Sequence, residues 1–361
     1  MPALFFRVVL VLGCASHISM ACAAAGEKML LGLPSFQNAT QPNSTVSALG
    51  RTLFFDKQLS RDQSISCASC HIPEKAFSDG RALAVGISGK SGTRNTPSLL
   101  NVAFNRSLFW DGRRHSLEEQ ASDPLVNPRE HGMPDTASVL SRLRKTPAYQ
   151  KQFRDSFGVE AAGMNFEMVR TALASYERSL LAGNSSFDRA YFGGDDQALS
   201  ARERNGLELF RGRARCATCH VIGDSSALFT DHQFHSLSVG LRKVAGRLDE
   251  ITTQLVRERQ EGKSLDATIL SEDDVAELGR FAVTLRPADI GKFRTPSLRN
   301  VALTAPYMHD GSVPNLEAAV QMELYSRGVN PGKPIILTPA EKADLVLFLG
   351  TLSSGDYVTR Q

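Results

Sequence analysis

The amino-acid sequence predicts a mainly helical protein made of two like halves in tandem, and three observations carry the prediction. Cys67-Ala68-Ser69-Cys70-His71 returns as Cys216-Ala217-Thr218-Cys219-His220. Arg94-Asn95-Thr96-Pro97-Ser98-Leu99-Leu100-Asn101-Val102-Ala103 returns as Arg294-Thr295-Pro296-Ser297-Leu298-Arg299-Asn300-Val301-Ala302. In each copy the asparagine stands nine residues before the side chain that opens an Asp-Gly pair, Trp110 or His309. Between these motifs apolar residues recur at helical spacing, and no stretch of any length alternates as a half-buried strand does.

In chain order, residues 1–25 read as a secretory signal. Arg7 is followed by the apolar run Val8 to Leu12 and then by the small residues Ala21-Cys22-Ala23-Ala24-Ala25, the order of an exported leader with its cleavage site. A Pro-, Asn-, Ser- and Thr-rich linker, Pro34 to Thr45, precedes a first helix expected at Ser47 to Phe55. Gly50, Leu53 and Phe54 of that helix match Gly206, Leu209 and Phe210 ahead of the second cysteine motif, where Ser200 and Glu203 form a capping box. Asn165 to Leu181 carries apolar residues at helical spacing and is read as a core helix closing the first half. Gly183 to Ser200 is the domain boundary, giving 26–195 and 196–361. Leu241 to Leu278 is mostly charged, has no counterpart in the first half, and is read as a solvated helical insertion without chemistry. Thr338 as N-cap, Pro339 at N1 and Glu341 at N3 open a last helix with Leu345, Phe348, Leu349 and Leu352 on one stripe.

Composition narrows the function. At 361 residues, 42% hydrophobic and 22% charged, the chain is long enough for about two globular domains, and a net charge of +3 argues for neither nucleic acid nor an anionic membrane surface. No segment after the leader has the roughly 18 consecutive apolar residues of a membrane span. Four of the six cysteines lie in the two motifs and the others, Cys14 and Cys22, in the leader, so no disulfide framework remains after export.

Two thiols spaced by two residues each add to a vinyl group of one haem, and the histidine that follows offers its imidazole to the iron. Each pentapeptide therefore reads as a c-type haem attachment site: Cys67, Cys70 and His71 for one haem, Cys216, Cys219 and His220 for the other. A structural zinc site has no need of the adjacent histidine, and a redox dithiol would neither need it nor occur twice. The fold expected is two tandem cytochrome c-like domains, mainly α, with one covalent haem each.

These motifs, with Phe109-Trp110-Asp111-Gly112 and Thr304-Ala305-Pro306-Tyr307-Met308-His309-Asp310-Gly311, resemble the bacterial dihaem cytochrome c peroxidases and their relative MauG over nearly the whole chain after the leader. The resemblance implies a periplasmic enzyme that reduces hydrogen peroxide at the N-terminal haem, while the C-terminal haem passes electrons or stores an oxidising equivalent. It also implies one calcium ion between the domains, at Asn95, Thr304 and Pro306. The last two offer only carbonyl or hydroxyl oxygen, which suits a hard ion. Trp110, the sole tryptophan, matches the tryptophan between the haems, and Gln120, Pro124 and Glu130 match the peroxide-side residues. A carboxyl over an open iron can carry a proton from the near peroxide oxygen to the departing one, the role given to Glu130. In isolation Trp110 reads as a core aromatic and Glu130 as a solvated loop carboxylate; the shared register decides for function.

Departures from the family pattern sharpen the expectation. The loop after the first haem motif, Ala84 to Gly92, lacks the histidine that blocks the iron in classical members, so the first haem is expected to be five-coordinate at rest, as in MauG. His131 is not taken as a ligand, and His232 and His235 are read as hydrogen-bonding residues near the second haem. The sixth ligand of that haem, methionine in the peroxidases and tyrosine in MauG, falls by register on Glu323, seventeen residues after Pro306, with Met322 and Tyr325 beside it. Three functions follow. The first is a peroxidase fed by a small donor such as a cytochrome c or a cupredoxin. The second is a MauG-like oxidase acting on a partner protein, and the third a plain electron-transfer cytochrome, which has no use for an open iron beside Glu130.

Overall fold

The structure is a computed structural model and describes residues 30–35, 43–329 and 334–355. The expected leader and most of the linker after Pro34 lie outside the described residues. The chain is mainly helical, and its only sheet among the described residues is the two-residue antiparallel pair β1 (Phe234–His235) and β2 (Phe293–Arg294).

Helix α1 (Ser44–Phe55) starts three residues before the predicted Ser47, because the Asn43 side chain accepts from the Thr45 and Val46 amides and caps it. Val46, Leu49, Gly50, Leu53 and Phe54 form its buried face. The chain then winds through the first cysteine motif to α2 (Leu117–Gln120), α3 (Ser122–Val126), α4 (Thr136–Arg144), α5 (Pro147–Phe157) and α6 (Phe166–Arg178). Asn165 caps α6, whose Val169, Ala172, Leu173 and Tyr176 bury against α1. The crossing is a backbone contact. A Cβ on Gly50 would stand 1.8 Å from the Ala172 carbonyl oxygen, so only glycine fits there.

The second half repeats this arrangement. After α7 (Ser186–Tyr191), α8 (Ala201–Arg211) starts at the predicted Ser200–Glu203 capping box. It packs against α15 (Pro339–Gly350), which starts at the predicted Thr338–Glu341 box with Pro339 in its first turn. A Cβ on Gly206 would stand 2.1 Å from the Asp344 carbonyl oxygen. Each half thus has its own apolar cluster, one around Leu53, Phe54, Phe77 and Phe153, the other around Phe187, Phe210, Phe229 and Phe348. Edge-to-face pairs repeat within them: Phe54 with Phe77 at 6.3 Å and Phe210 with Phe229 at 6.1 Å. Even the asparagine of the repeated motif is left-handed in both copies, Asn101 at φ 61° and Asn300 at φ 60°.

The insertion corrects the sequence reading. Its helices α9 (Leu241–Val244), α10 (Leu248–Gln260), α11 (Asp266–Ser271) and α12 (Asp273–Ala276), with α13 (Phe281–Thr284) just beyond it, enclose a third cluster of Val244, Ile251, Leu255, Leu265, Ile269, Val275, Leu278 and Phe281. On α10 only Ile251 and Leu255, one turn apart, turn inward as buried residues among charged neighbours, so the apolar stripe is too thin to stand out in sequence. The insertion is also braced on the first half. Arg114 pairs with Asp266 at 2.7 Å, Arg129 with Asp273 at 2.8 Å, and Arg94 donates to the Ala276 carbonyl at 2.8 Å.

After the insertion α14 (Leu316–Val329) runs fourteen residues without interruption. No described helix is long and apolar enough to cross a membrane.

Candidate active site

Both cysteine motifs fold as one tight turn that turns the histidine back under the thiols. The His71 amide donates to the Cys67 carbonyl at 2.9 Å and the His220 amide to the Cys216 carbonyl at 2.9 Å. Each ring is then pinned by Nδ1, His71 on the Phe77 carbonyl at 3.0 Å and His220 on the Phe229 carbonyl at 2.8 Å. A histidine held in this way presents Nε2 to a metal with its tautomer set. Burial lowers both imidazoles, His220 to about 4, so they are neutral and able to ligate at neutral pH. The four thiols are free, and burial pushes them above the usual cysteine range. A cavity of about 910 Å³ opens beside Cys216, Cys219 and His220 and reaches Trp110 and Glu323. Donor chemistry and ring anchoring fit a covalently held haem at each motif, and at the second motif the cavity has room for one.

The loop that follows α2 and α3 comes near the first motif, where Glu130 acts on both thiols. Gln120 is half-buried at the end of α2, and Pro124 sits in α3. Glu130 is half-buried and accepts from the Asn127 side-chain amide at 2.6 Å. Burial raises its carboxyl above the ordinary range against the Arg113 charge and the Asn127 hydrogen bond. The histidine-free loop packs directly on this segment. Ile87 donates its amide to the Glu130 carbonyl at 2.9 Å, and a Cβ on Gly86 would meet the Arg129 carbonyl oxygen at 2.0 Å. His131 faces the first motif from beside Glu130, with Nδ1 3.2 Å from the Leu59 carbonyl and Nε2 4.0 Å from the Cys67 sulfur.

Trp110 is half-buried at the seam between the halves. Its Nε1 donates to the Asn95 carbonyl at 2.9 Å, its own carbonyl accepts from the Arg294 amide at 2.8 Å, and its side chain borders the large cavity. Asn95, Thr304 and Pro306 border that cavity too. Asn95 donates its side-chain amide to the Arg81 carbonyl at 2.8 Å, which leaves its Oδ1 as an oxygen donor.

Sequence reasoning missed one cluster here. His309, the repeat partner of Trp110, is buried, stacks on Phe293 at 3.7 Å and has Nε2 2.6 Å from a Glu277 carboxylate oxygen, while Lys243 bridges Glu277 and Asp310. Glu277 comes from the insertion, so only the matched positions of Trp110 and His309 hinted at it.

Of the three candidates for the far side of the second haem, Glu323 borders the cavity; Met322 and Tyr325 do not, and Tyr325 is 63% exposed. Burial raises the Glu323 carboxyl, opposed by the charges of Arg327 and His235. His235 bonds Asp231 at 2.7 Å, as expected of a hydrogen-bonding residue. His232 departs from that expectation, because its Nδ1 is buried without a hydrogen-bond partner.

Two cysteine turns with anchored histidines on a duplicated, mainly helical scaffold define a di-haem c-type protein. The family model for di-haem cytochrome c peroxidase matches residues 44–197. The chain is 36% identical to the methylamine utilization protein MauG of Methylorubrum extorquens, over 85% of this chain and 78% of that protein. It is 37% identical to the cytochrome-c peroxidase IdrP1 of a Pseudomonas species (strain SCT), over 86% of this chain and 81% of that protein. A crystal structure of a MauG-like protein associated with microbial copper homeostasis superposes with a TM-score of 0.72 at 29% identity, covering 90% of this chain and 96% of the other. The chain belongs to the di-haem cytochrome c peroxidase and MauG family, whose members carry two c-type haems and are oxidoreductases.

Proposed function

We propose that the protein is a periplasmic di-haem peroxidase that reduces hydrogen peroxide at the haem of Cys67, Cys70 and His71. Electrons arrive from a small donor protein, a cytochrome c or a cupredoxin, through the haem of Cys216, Cys219 and His220. The domains are 26–195 and 196–361, and the apolar cluster of the second reaches back across that boundary to Phe187. Bound haem supplies an iron that takes oxidising equivalents from peroxide; the chain supplies the protons and the path. The observation that carries the reading is Glu130, a half-buried carboxyl whose proton is held above the ordinary range and whose Oε1 is fixed by Asn127. As a carboxylate it can take a proton from one peroxide oxygen, and the acid so formed returns that proton to the other. Gln120, at the end of α2, is assigned to orient peroxide by its amide. Trp110 stands between the second cavity and the first half, placed to share oxidising equivalents. Asn95, Thr304 and Pro306 hold one calcium ion through oxygen donors.

A second reading, a MauG-like oxidase that modifies a partner protein, is favoured by Glu323. An anionic oxygen ligand stabilises ferric iron and lowers the potential, where a thioether raises it. The two readings separate by steady-state turnover of hydrogen peroxide with reduced cytochrome c or cupredoxin. Turnover with either supports the peroxidase; peroxide consumed without donor oxidation supports the oxidase. A resting resonance spectrum with only low-spin iron, silent toward peroxide until an electron is supplied, would remove the open first haem from both.

A further inference from the structure

Reduction of one hydrogen peroxide to two waters takes up two electrons and two protons. Glu130 can move a proton within peroxide, from one oxygen to the other, but both net protons have to come from solvent to a site enclosed by the 84–92 loop and the insertion. This requirement rests on the peroxidase reading.

One polar cavity opens near Arg113, whose charge acts on Glu130. It has about 240 Å³ at the seam between the first half and the insertion, bordered by Arg113 and Arg114 on one side and Arg259, Ser264 and Asp266 on the other. It is roomy enough for several waters, each taking about 30 Å³. Ser264 and Arg259 are exposed at its rim. Behind the arginines that border it, Asp123 is buried among the charges of Arg113, Arg114 and Asp266. Arg114 Nη2 bridges Asp123 at 3.0 Å and Asp266 at 2.7 Å, and Arg113 is anchored on Asp111 at 3.0 Å. Two atoms are left over. Arg113 Nε and Asp123 Oδ2 are both buried and lack a hydrogen-bond partner, although they stand 3.5 Å apart. Buried polar atoms of this kind, next to a polar cavity, are served by water. Arg113 and Asp123 are also the two charged side chains that act on Glu130.

We infer that this cavity is the proton inlet of the peroxide site and that Asp123 is its relay residue, taking protons from cavity water and passing them toward Glu130 beside the fixed charge of Arg113. Burial holds the Asp123 carboxyl above the ordinary aspartate range despite its two arginines, which lets it carry a proton nearer neutral pH. The insertion completes the inlet through Asp266 and Ser264, a role that a merely solvated segment would not have.

The two proton movements give the test, made on the full di-haem protein. Asp123→Asn should change the first reaction of resting protein with peroxide far less than turnover, because that step needs no net proton and feels Asp123 only through its charge on Glu130. Steady-state turnover should fall about tenfold or more, with the pH profile displaced and a larger solvent isotope effect. Phosphate, small enough for the arginine-lined cavity, should restore turnover with rising concentration, whereas a bulky zwitterionic buffer should not. Ser264→Trp, which plugs the rim without touching the core, should reproduce the slow turnover, and Asp123→Glu should keep most of it. If Asp123→Asn slows the first reaction and turnover equally and phosphate does nothing, Asp123 merely braces the loop and the inlet is wrong. Wild-type turnover with an unaffected Asp123→Asn also removes the inlet while leaving the peroxidase. No wild-type turnover with any donor removes both.

Discussion

The two halves share a scaffold and differ in what covers the histidine. In both, a helix meets a partner through one glycine, the ring Nδ1 rests on a phenylalanine carbonyl, and an αL asparagine opens the next turn. Past the Asp-Gly pair they diverge. The first half breaks its helix at Ala121, restarts with Pro124 in the first turn of α3, and stops before Asn127-Pro128, so a loop carries Glu130 over the cysteine turn. Proline is tolerated in a first turn and disfavours helix at the residue before it. The second half has no proline between Pro314 and Pro331, and α14 runs through, lowering Glu323 into the cavity from a rigid element. A few prolines thus give one duplicated scaffold a Glu130 loop in the first half and an unbroken helix carrying Glu323 in the second.

The largest test of this division removes a haem from one half only. Cys67→Ala with Cys70→Ala should abolish peroxide reactivity and halve covalent haem by pyridine haemochrome. Cys216→Ala with Cys219→Ala should halve the haem while the first site still reacts with peroxide. Equal loss of reactivity in both would mean that the halves do not divide the chemistry.

Next comes the distal carboxyl. Glu130→Gln should slow peroxide cleavage on the order of a hundred- to ten-thousand-fold with both haems attached, measured by rapid mixing. Glu323→Gln should spare that step and alter only the absorption of the second haem. Trp110→Phe should also spare the first reaction and slow exchange of oxidising equivalents between the halves. A Glu323 variant as slow as the Glu130 variant would erase the asymmetry.

Much of the scaffold was legible in sequence for local reasons. Capping boxes at Ser200 and Thr338 and the spaced motif pairs involve residues within a turn or two of one another, so pattern alone locates them. What escaped depends on distant contacts. The start of α1 moved to Ser44 because Asn43 outweighs the apolar spacing, and the insertion hid its core behind charges. Glu277 and Asp266 act on partners 32 and 152 residues away, His309 and Arg114, which no periodicity reports. The site residues given by family register needed the family; nothing local separates Glu130 from an ordinary loop carboxylate.

A smaller effect tests the scaffold itself. Gly50→Ala and Gly206→Ala each place a methyl against a carbonyl oxygen of the partner helix, and overpacking of this kind costs about 1–3 kcal/mol. The two should lower the thermal midpoint by similar amounts, with each loss followed through the haem of its own half. A tolerated Gly206→Ala beside a damaging Gly50→Ala would show that the second crossing is looser than its geometry.

The last difference lies on that same crossing. Gly50 faces Ala172 and Tyr176, and Gly206 faces Asp344 and Phe348. In this register Glu177 of α6 corresponds to Leu349 of α15, and both are buried, at 6% and 7% exposure. Glu177 Oε2 has no hydrogen-bond partner, and burial pushes its carboxyl up to about 8, with the Arg178 charge opposing and the Glu118 charge adding. Between the ordinary value of 4.5 and about 8 the folded chain therefore keeps a proton that the unfolded chain has released. Stability falls as pH rises through that window, and below it both states are protonated and the penalty vanishes. Glu177→Gln keeps the shape and cannot ionise, so its thermal midpoint should equal that of wild type near pH 4 and exceed it increasingly toward pH 8, by a few degrees. The excess should appear in the first half and not in the second, where leucine holds the place. Parallel midpoints for wild type and variant across that range would mean that Glu177 ionises freely and that the two crossings are electrostatically alike.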